Sequence, residues 1–289
     1  MNKGLTLLLF VIIAFTIIVS SNRPIALYYL TDVDPTKFTR KYNVCILEFE
    51  EALTKKRLDI IRGHCEIMLG YVNLGYAESW RDYWPRIRNK RWVHEETEYE
   101  GEYYVEYWRP QWSKIVFKKA LKAYRLGFDG VLLDNVDACL VIREKGLKWA
   151  LGRNLSKLMI STVSKLSQRL KKSLGKGFLI YVNIGSALNF LRNKRFLRKI
   201  DGVLREEVWY TIRNGKSIKV SFKKRKAILS SLLYAKNKGK VVIVADFLNN
   251  KRKAEKLCKK CWVRGFIPVP QPVWASNYDR PPPLKWCKK

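Results

Sequence analysis

Gly127-Phe128-Asp129-Gly130-Val131-Leu132-Leu133-Asp134 is a short apolar run closed by a carboxylate, and Asp201-Gly202-Val203-Leu204-Arg205-Glu206 repeats the pattern seventy residues on. Apolar almost throughout, such runs suit strands of a parallel sheet covered by helices on its faces. Six more segments read the same way: 25–30, 44–49, 67–73, 178–183, 241–246 and 266–269. Helical patterns fill the gaps. Trp112, Val116, Ala120 and Tyr124 keep one face ahead of Gly130–Asp134, and Leu155, Leu158, Met159, Val163, Leu166 and Leu170 do so ahead of 178–183. A third helix, carrying Ile228, Leu229, Leu232 and Leu233, is expected to stop at Gly239. Eight strand–helix alternations over about 250 residues predict an α/β fold, the (β/α)8 TIM barrel. A doubly wound open sheet is the rival, but no glycine-rich dinucleotide loop follows the first strand.

The barrel is expected to occupy residues 23–289. Lys3, the unbroken apolar run from Leu5 to Val19, and Ser20-Ser21-Asn22 describe a signal peptide over residues 1–22. The run is short for a membrane span of ~20 residues, with an uncleaved membrane tether through residues 5–19 as the alternative. An extracellular protein, or one anchored facing outside, is therefore expected. Of six cysteines, Cys258 and Cys261 share an apolar helical stripe with Ala254, Leu257 and Trp262, which indicates core packing rather than a metal site. No second Cys-x-x-Cys completes a tetrahedral site, and a bridge from one of the two to Cys287 is a further option. With only His64 and His94 in the chain, hydrolytic chemistry has to rest on carboxylates, and neither metal nor cofactor is expected. The net charge of +32 draws anionic partners. Its cations are nevertheless spread over polar helix faces, as in Lys223-Lys224-Arg225-Lys226, without a nucleic-acid module, so nucleic acid is not an expected partner.

Barrel active sites sit at the C-terminal ends of strands. The polar residues that close the apolar runs are Glu48, Glu50, Asn73, Asp134, Asp137, Asn183, Glu206, Glu207 and Asp246. Cleaving a glycosidic bond needs one carboxyl as acid and another as nucleophile or base. Asp134 and Glu206 end the fourth and sixth strands, so they face each other across the mouth with Asn183 on the strand between. Loop aromatics beyond strand ends, including Trp80, Tyr83, Trp84, Trp209, Tyr210, Trp274 and Tyr278, suit sugar stacking.

Three segments carry a family resemblance that spans nearly all of the chain after the leader. They are residues 69–84 (Leu69-Gly70-Tyr71-Val72-Asn73 through Trp84), the stretch from Trp112 through Gly127-Phe128-Asp129-Gly130 to Ala138, and residues 201–210 ending Glu206-Glu207-Val208-Trp209-Tyr210. Together they resemble the endo-α-1,4-polygalactosaminidases, glycoside hydrolase family 114, and their relatives. The resemblance implies a TIM barrel that cleaves an α-linked, galactosamine-containing polysaccharide with retention, Asp134 serving as nucleophile and Glu206 as acid/base. Together with the strand-end and loop-aromatic readings, it makes Tyr71, Asn73, Glu78, Trp80, Arg81, Asp137, Asn183, Trp209, Tyr210 and Asp246 the expected substrate contacts. The Glu-x-Val-Trp-Tyr pattern selects Glu206 over Glu207, and adjacent strand residues point to opposite faces. A polycationic substrate sits awkwardly with a charge of +32. However, the segment from Glu95 to Glu106, expected as a loop after the third strand, carries six acids and no base, interleaved with tyrosines. The alternative from another class is a carbohydrate-binding or surface protein that keeps the barrel without turnover.

Overall fold

The computed structural model describes residues 23–50 and 53–287; the apolar run Leu5–Val19 lies outside them. Eight parallel strands form one sheet in sequence order: β1 (Ala26–Tyr29), β2 (Tyr42–Leu47), β3 (Cys65–Asn73), β4 (Gly130–Asp134), β5 (Leu179–Asn183), β6 (Gly202–Glu206), β7 (Val241–Leu248) and β8 (Ile267–Pro272). Helices alternate with them on the outside, the longest being Pro110–Arg125, Leu155–Leu174, Phe222–Asn237 and Lys251–Trp262. Their ends follow local chemistry. Pro110 occupies the first turn, Asn154, Ser221 and Asn250 cap their helices by accepting from the backbone N–H three residues on, and Gly239 takes φ +77° just past the third helix. The strand order and the return of β8 beside β1 make this the expected (β/α)8 TIM barrel.

Two apolar clusters define the inside and outside of the barrel. Tyr28, Ile46, Leu69, Leu132, Tyr181, Leu204, Ile243 and Val269 pack within it, while alternate strand residues pack against the helices. Gly202 has a structural reason to lack a side chain: a Cβ there would lie 2.4 Å from the Tyr181 ring. β8 carries Pro268, Pro270 and Pro272 at alternate positions. Alternate residues direct their N–H to one strand edge, so that edge has lost its donors. β8 accordingly has a ladder to β7 and none to β1.

Two features depart from the sequence reading. The acidic segment is not a loop but part of a three-stranded antiparallel sheet, Tyr76–Glu78, Glu102–Val105 and Val93–Glu96, inserted between β3 and the Pro110 helix. Tyrosine and valine favour a pleated surface, and Tyr76 meets Tyr104 edge-on at 5.6 Å. The second is a hairpin, Tyr210–Arg213 with Lys216–Lys219, turning through Asn214-Gly215 with both residues at positive φ. That dipeptide is the usual signal for a two-residue hairpin turn. Of the cysteines, Cys258 bridges Cys287 and Cys45 bridges Cys65, whereas Cys139 and Cys261 are free and buried.

Candidate active site

The strand alternation that puts Leu132 and Leu204 inside the barrel also turns Asp134 and Glu206 inward at its C-terminal mouth. The chain leaves both strands abruptly, since Asn135 (φ +58°) and Glu207 (φ +55°) are left-handed immediately after each carboxylate. Asp134 accepts from the Tyr71 hydroxyl at 2.9 Å and from the Asn135 N–H at 2.8 Å. Glu206 accepts from Asn183 Nδ2 at 3.1 Å and, through a short bond, from the Tyr278 hydroxyl. Burial first and the charge of Glu206 second push the Asp134 carboxyl up to about 7, against the pull of its donors. Tyr28, Tyr71 and Tyr278 are all held above the ordinary phenol range, by burial first and the neighbouring carboxylates next. They stay protonated, and Tyr71 and Tyr278 act as donors.

The pair opens into a cavity of about 450 Å³, walled on one side by the inserted sheet. Among the described residues, five carboxylates line it (Glu98, Glu102, Asp134, Asp137 and Glu206) with six tyrosines and no lysine or arginine. Glu102 is pushed up to about 7 by burial, despite bonds from Thr97 and Asn73. Asp137 accepts from the N–H and hydroxyl of Ser186 at 2.7 and 3.0 Å. Glu98 pairs with Lys145 at 2.8 Å, so its charge is largely answered. Neither histidine lines the cavity; His94 stacks on Trp149 at 3.9 Å. No group of three or more His, Cys, Asp or Glu side chains suited to a metal occurs among the described residues.

The residues expected at the site do not all converge there. Tyr71 and Asp137 line the cavity, and Asn183 stands behind Glu206. Asn73 is buried, linking Glu102 to the Tyr76 N–H rather than facing the opening. Arg81 and Glu78 belong to a buried ion cluster. The guanidinium meets Glu78, Glu48 and Glu50 at 2.7, 2.8 and 3.0 Å, and Lys119 also binds Glu50. Asp246 sits one residue out of phase with the inward Ala245 and Phe247. It is fully buried outside the barrel and accepts the N–H groups of Val208, Trp209 and Tyr210 at 2.7–3.0 Å, shaping the turn after β6. Trp209 and Tyr210 are consequently core residues, each 3% exposed. Trp80 is 59% exposed but packs over Gly101, outside the cavity lining. Glu207 bonds Thr211 and does not line the cavity either. Tyr28 is a site residue that strand-end reasoning misses, whereas Glu102 comes with the acidic segment and Tyr278, expected as a stacking aromatic, serves as a hydrogen-bond donor to Glu206. They arrive from a barrel layer, the inserted sheet and the segment after β8.

Parallel strands closed into a barrel, with two hydrogen-bonded carboxylates at the C-terminal ends of β4 and β6, define a protein of the barrel glycoside-hydrolase class. The model of glycoside-hydrolase family GH114 matches residues 24–272, and the chain belongs to that family. Among solved structures it resembles the glycoside hydrolase domain of PelA from Pseudomonas aeruginosa (TM-score 0.70, 14% identity, 88% of this chain and 96% of that one). It also resembles Aspergillus fumigatus Ega3, solved in complex with galactosamine (TM-score 0.62, 14% identity, 87% and 92%). At that identity the likeness concerns the fold. An uncharacterized protein of Methanocaldococcus jannaschii is 26% identical over 74% of this chain, which spans 64% of the relative's length. One from Thermotoga maritima is 23% identical over 78% of this chain, spanning 71% of its length.

Proposed function

We propose that the protein is a retaining glycoside hydrolase acting on an α-linked, galactosamine-containing polysaccharide, outside the cell or tethered facing outside. The observation that carries the substrate class is the cavity itself: among the described residues it is lined by five carboxylates, of which only Glu98 has a cationic partner, and by no lysine or arginine, in a chain whose net charge is +32. A protonated amino sugar finds a negative field there that the outer surface does not offer. The aromatic walls give apolar sugar faces something to stack on. Two disulfides and the apolar leader support export to an oxidising compartment.

In this reading Asp134 attacks the anomeric carbon while Glu206 donates a proton to the departing oxygen. Water activated by Glu206 then releases the covalent intermediate. Tyr71 and the Asn135 N–H orient the nucleophile, and Asn183 and Tyr278 orient the acid. One observation favours the reverse assignment: the upward displacement of Asp134 to about 7 suits a proton donor.

Incubating the enzyme with polymers of galactosamine, N-acetylgalactosamine and uronic acid, with reducing-end and NMR analysis of the first product, tests substrate and stereochemistry together. Turnover of the cationic polymer to the retained anomer is expected; preference for the uronic-acid polymer refutes the substrate class. Azide added to Ala variants acting on a galactosaminide with a dinitrophenolate leaving group, which departs without a proton, separates the roles. Glu206→Ala should yield the glycosyl azide of retained configuration and Asp134→Ala the inverted one, and the opposite pattern reverses the assignment.

A further inference from the structure

Tyr278 lies beyond β8 and beyond residue 272, where the family match ends, yet its hydroxyl reaches Glu206. The residue is held from several sides. Its ring is buried against Tyr28 of β1 and Phe247 of β7, with centroids at 4.1 and 5.8 Å. Its backbone is left-handed (φ +56°), a conformation a bulky side chain adopts only where the surroundings impose it. The Tyr278 N–H donates to Ala275 at 3.0 Å, and its carbonyl accepts the Leu30 N–H at 2.8 Å. That last bond falls just past β1, whose edge the prolines of β8 leave without a ladder. The segment therefore closes the barrel seam and delivers a donor to the site in one turn.

What keeps the segment there is latched downstream. Arg40 donates to the carbonyls of Pro283 and Trp286 at 3.2 and 3.0 Å, and Cys287 is bridged to Cys258 on the Lys251–Trp262 helix. Pro281-Pro282-Pro283 joins latch to tyrosine, and consecutive prolines form a stiff strut without internal hydrogen bonds. We propose that Tyr278 is a positioning residue for Glu206, and that the Cys258–Cys287 disulfide holds it in place, making hydrolysis depend on an oxidised chain. The inference rests on the reading of Glu206 as acid/base. A dithiol reductant opens the latch by giving two electrons to the S–S bond. The sulfurs leave as two thiols and the reductant becomes a disulfide.

The test compares the parent with Tyr278→Phe, Cys287→Ser, their double variant and Glu206→Gln. Each is assayed on the α-1,4-galactosamine polymer and on an oligomeric galactosaminide with a dinitrophenolate leaving group. On the polymer, Tyr278→Phe should lower kcat roughly 10- to 100-fold with KM unchanged, the range expected for losing a hydrogen bond to a charged group. On the activated substrate, which leaves without a proton, the deficit should shrink to a few-fold. Cys287→Ser should lower kcat in the same direction, and the double variant should be no worse than Tyr278→Phe, because both act through one contact. Parental activity in Tyr278→Phe, an equal deficit on both substrates, or additive losses in the double variant would each overturn the proposal. If those results appear while Glu206→Gln is inactive on the polymer, the acid/base reading stands and only the role of Tyr278 falls. If Glu206→Gln keeps polymer activity, or the parent cleaves neither substrate, the reading of the site fails and this inference with it.

Discussion

Asp134→Asn should make the protein more stable and inactive at the same time, with the stability gain growing as pH rises from about 4 towards 7 and constant above that. Enclosure of this half-buried carboxyl, with the charge of Glu206 beside it, pushes it up to about 7 from 3.8. An acid whose folded value lies above its unfolded one binds a proton on folding. Its contribution is therefore complete below the unfolded value, declines as pH rises through the interval to about 7, and is flat beyond. A displacement of roughly 3 units corresponds to at most about 4 kcal/mol of penalty at pH 8. Asparagine removes the charge and keeps the shape. Its oxygen can retain the Asn135 N–H, and the Tyr71 hydroxyl can turn from donor to acceptor, so the polar cost is about 1 kcal/mol. A net gain of about 1–3 kcal/mol at pH 8 and none at pH 4 is expected from urea unfolding with the disulfides intact. Equal shifts at both pH values, or a loss at pH 8, would refute the claim that ionising Asp134 strains the fold. Opposite movement of stability and activity is the mark of a group retained for chemistry at the expense of the scaffold.

Glu206→Gln should abolish hydrolysis while Glu207→Gln, altering a group bonded to Thr211 outside the cavity, should leave it near the parental rate; reversal of that pattern in a polymer assay would move the site by one residue. Glu102→Gln with Asp137→Asn should raise KM for the cationic polymer at low salt with little change in kcat, the difference fading as ionic strength screens the cavity. The same pair should leave binding of an N-acetylated polymer unchanged, and Glu96→Gln with Glu100→Gln, which lie outside the cavity, should change neither. Arg81→Met should cost about 3–5 kcal/mol in denaturant unfolding, because three buried carboxylates lose their shared cation.

Much of this was legible in the chain itself. Apolar runs of strand length, each followed by a helical stripe, leave few architectures that bury both, and the eight-fold alternation specifies a barrel. Strand-end position then singles out Asp134 and Glu206, because the pleat has a period of two and both continue the inward phase of Leu132 and Leu204. The same rule, applied with care for phase, would have removed Asp246: its neighbours Ala245 and Phe247 are the inward residues of β7. Exposed position could not be read for Trp209 and Tyr210, since only the fold shows that the turn after β6 tucks under Asp246. Nor does spacing reveal that Arg81 is enclosed by Glu48, Glu50 and Glu78, residues from two separate stretches of chain.

Periodicity and composition, being local, determined the barrel, the carboxylate pair and the anomaly of an acidic tyrosine-rich segment in a basic chain. Which groups share a cavity was decided by tertiary structure alone. The inserted sheet brings Glu102 towards Asp134, and the segment after β8 carries Tyr278 to Glu206 across 72 residues of sequence. Contacts of that kind depend on loop paths and on which edge of the barrel remains open. Here that edge was set by three prolines that remove the donors β1 would have used, a consequence visible only once the strands are closed around one another.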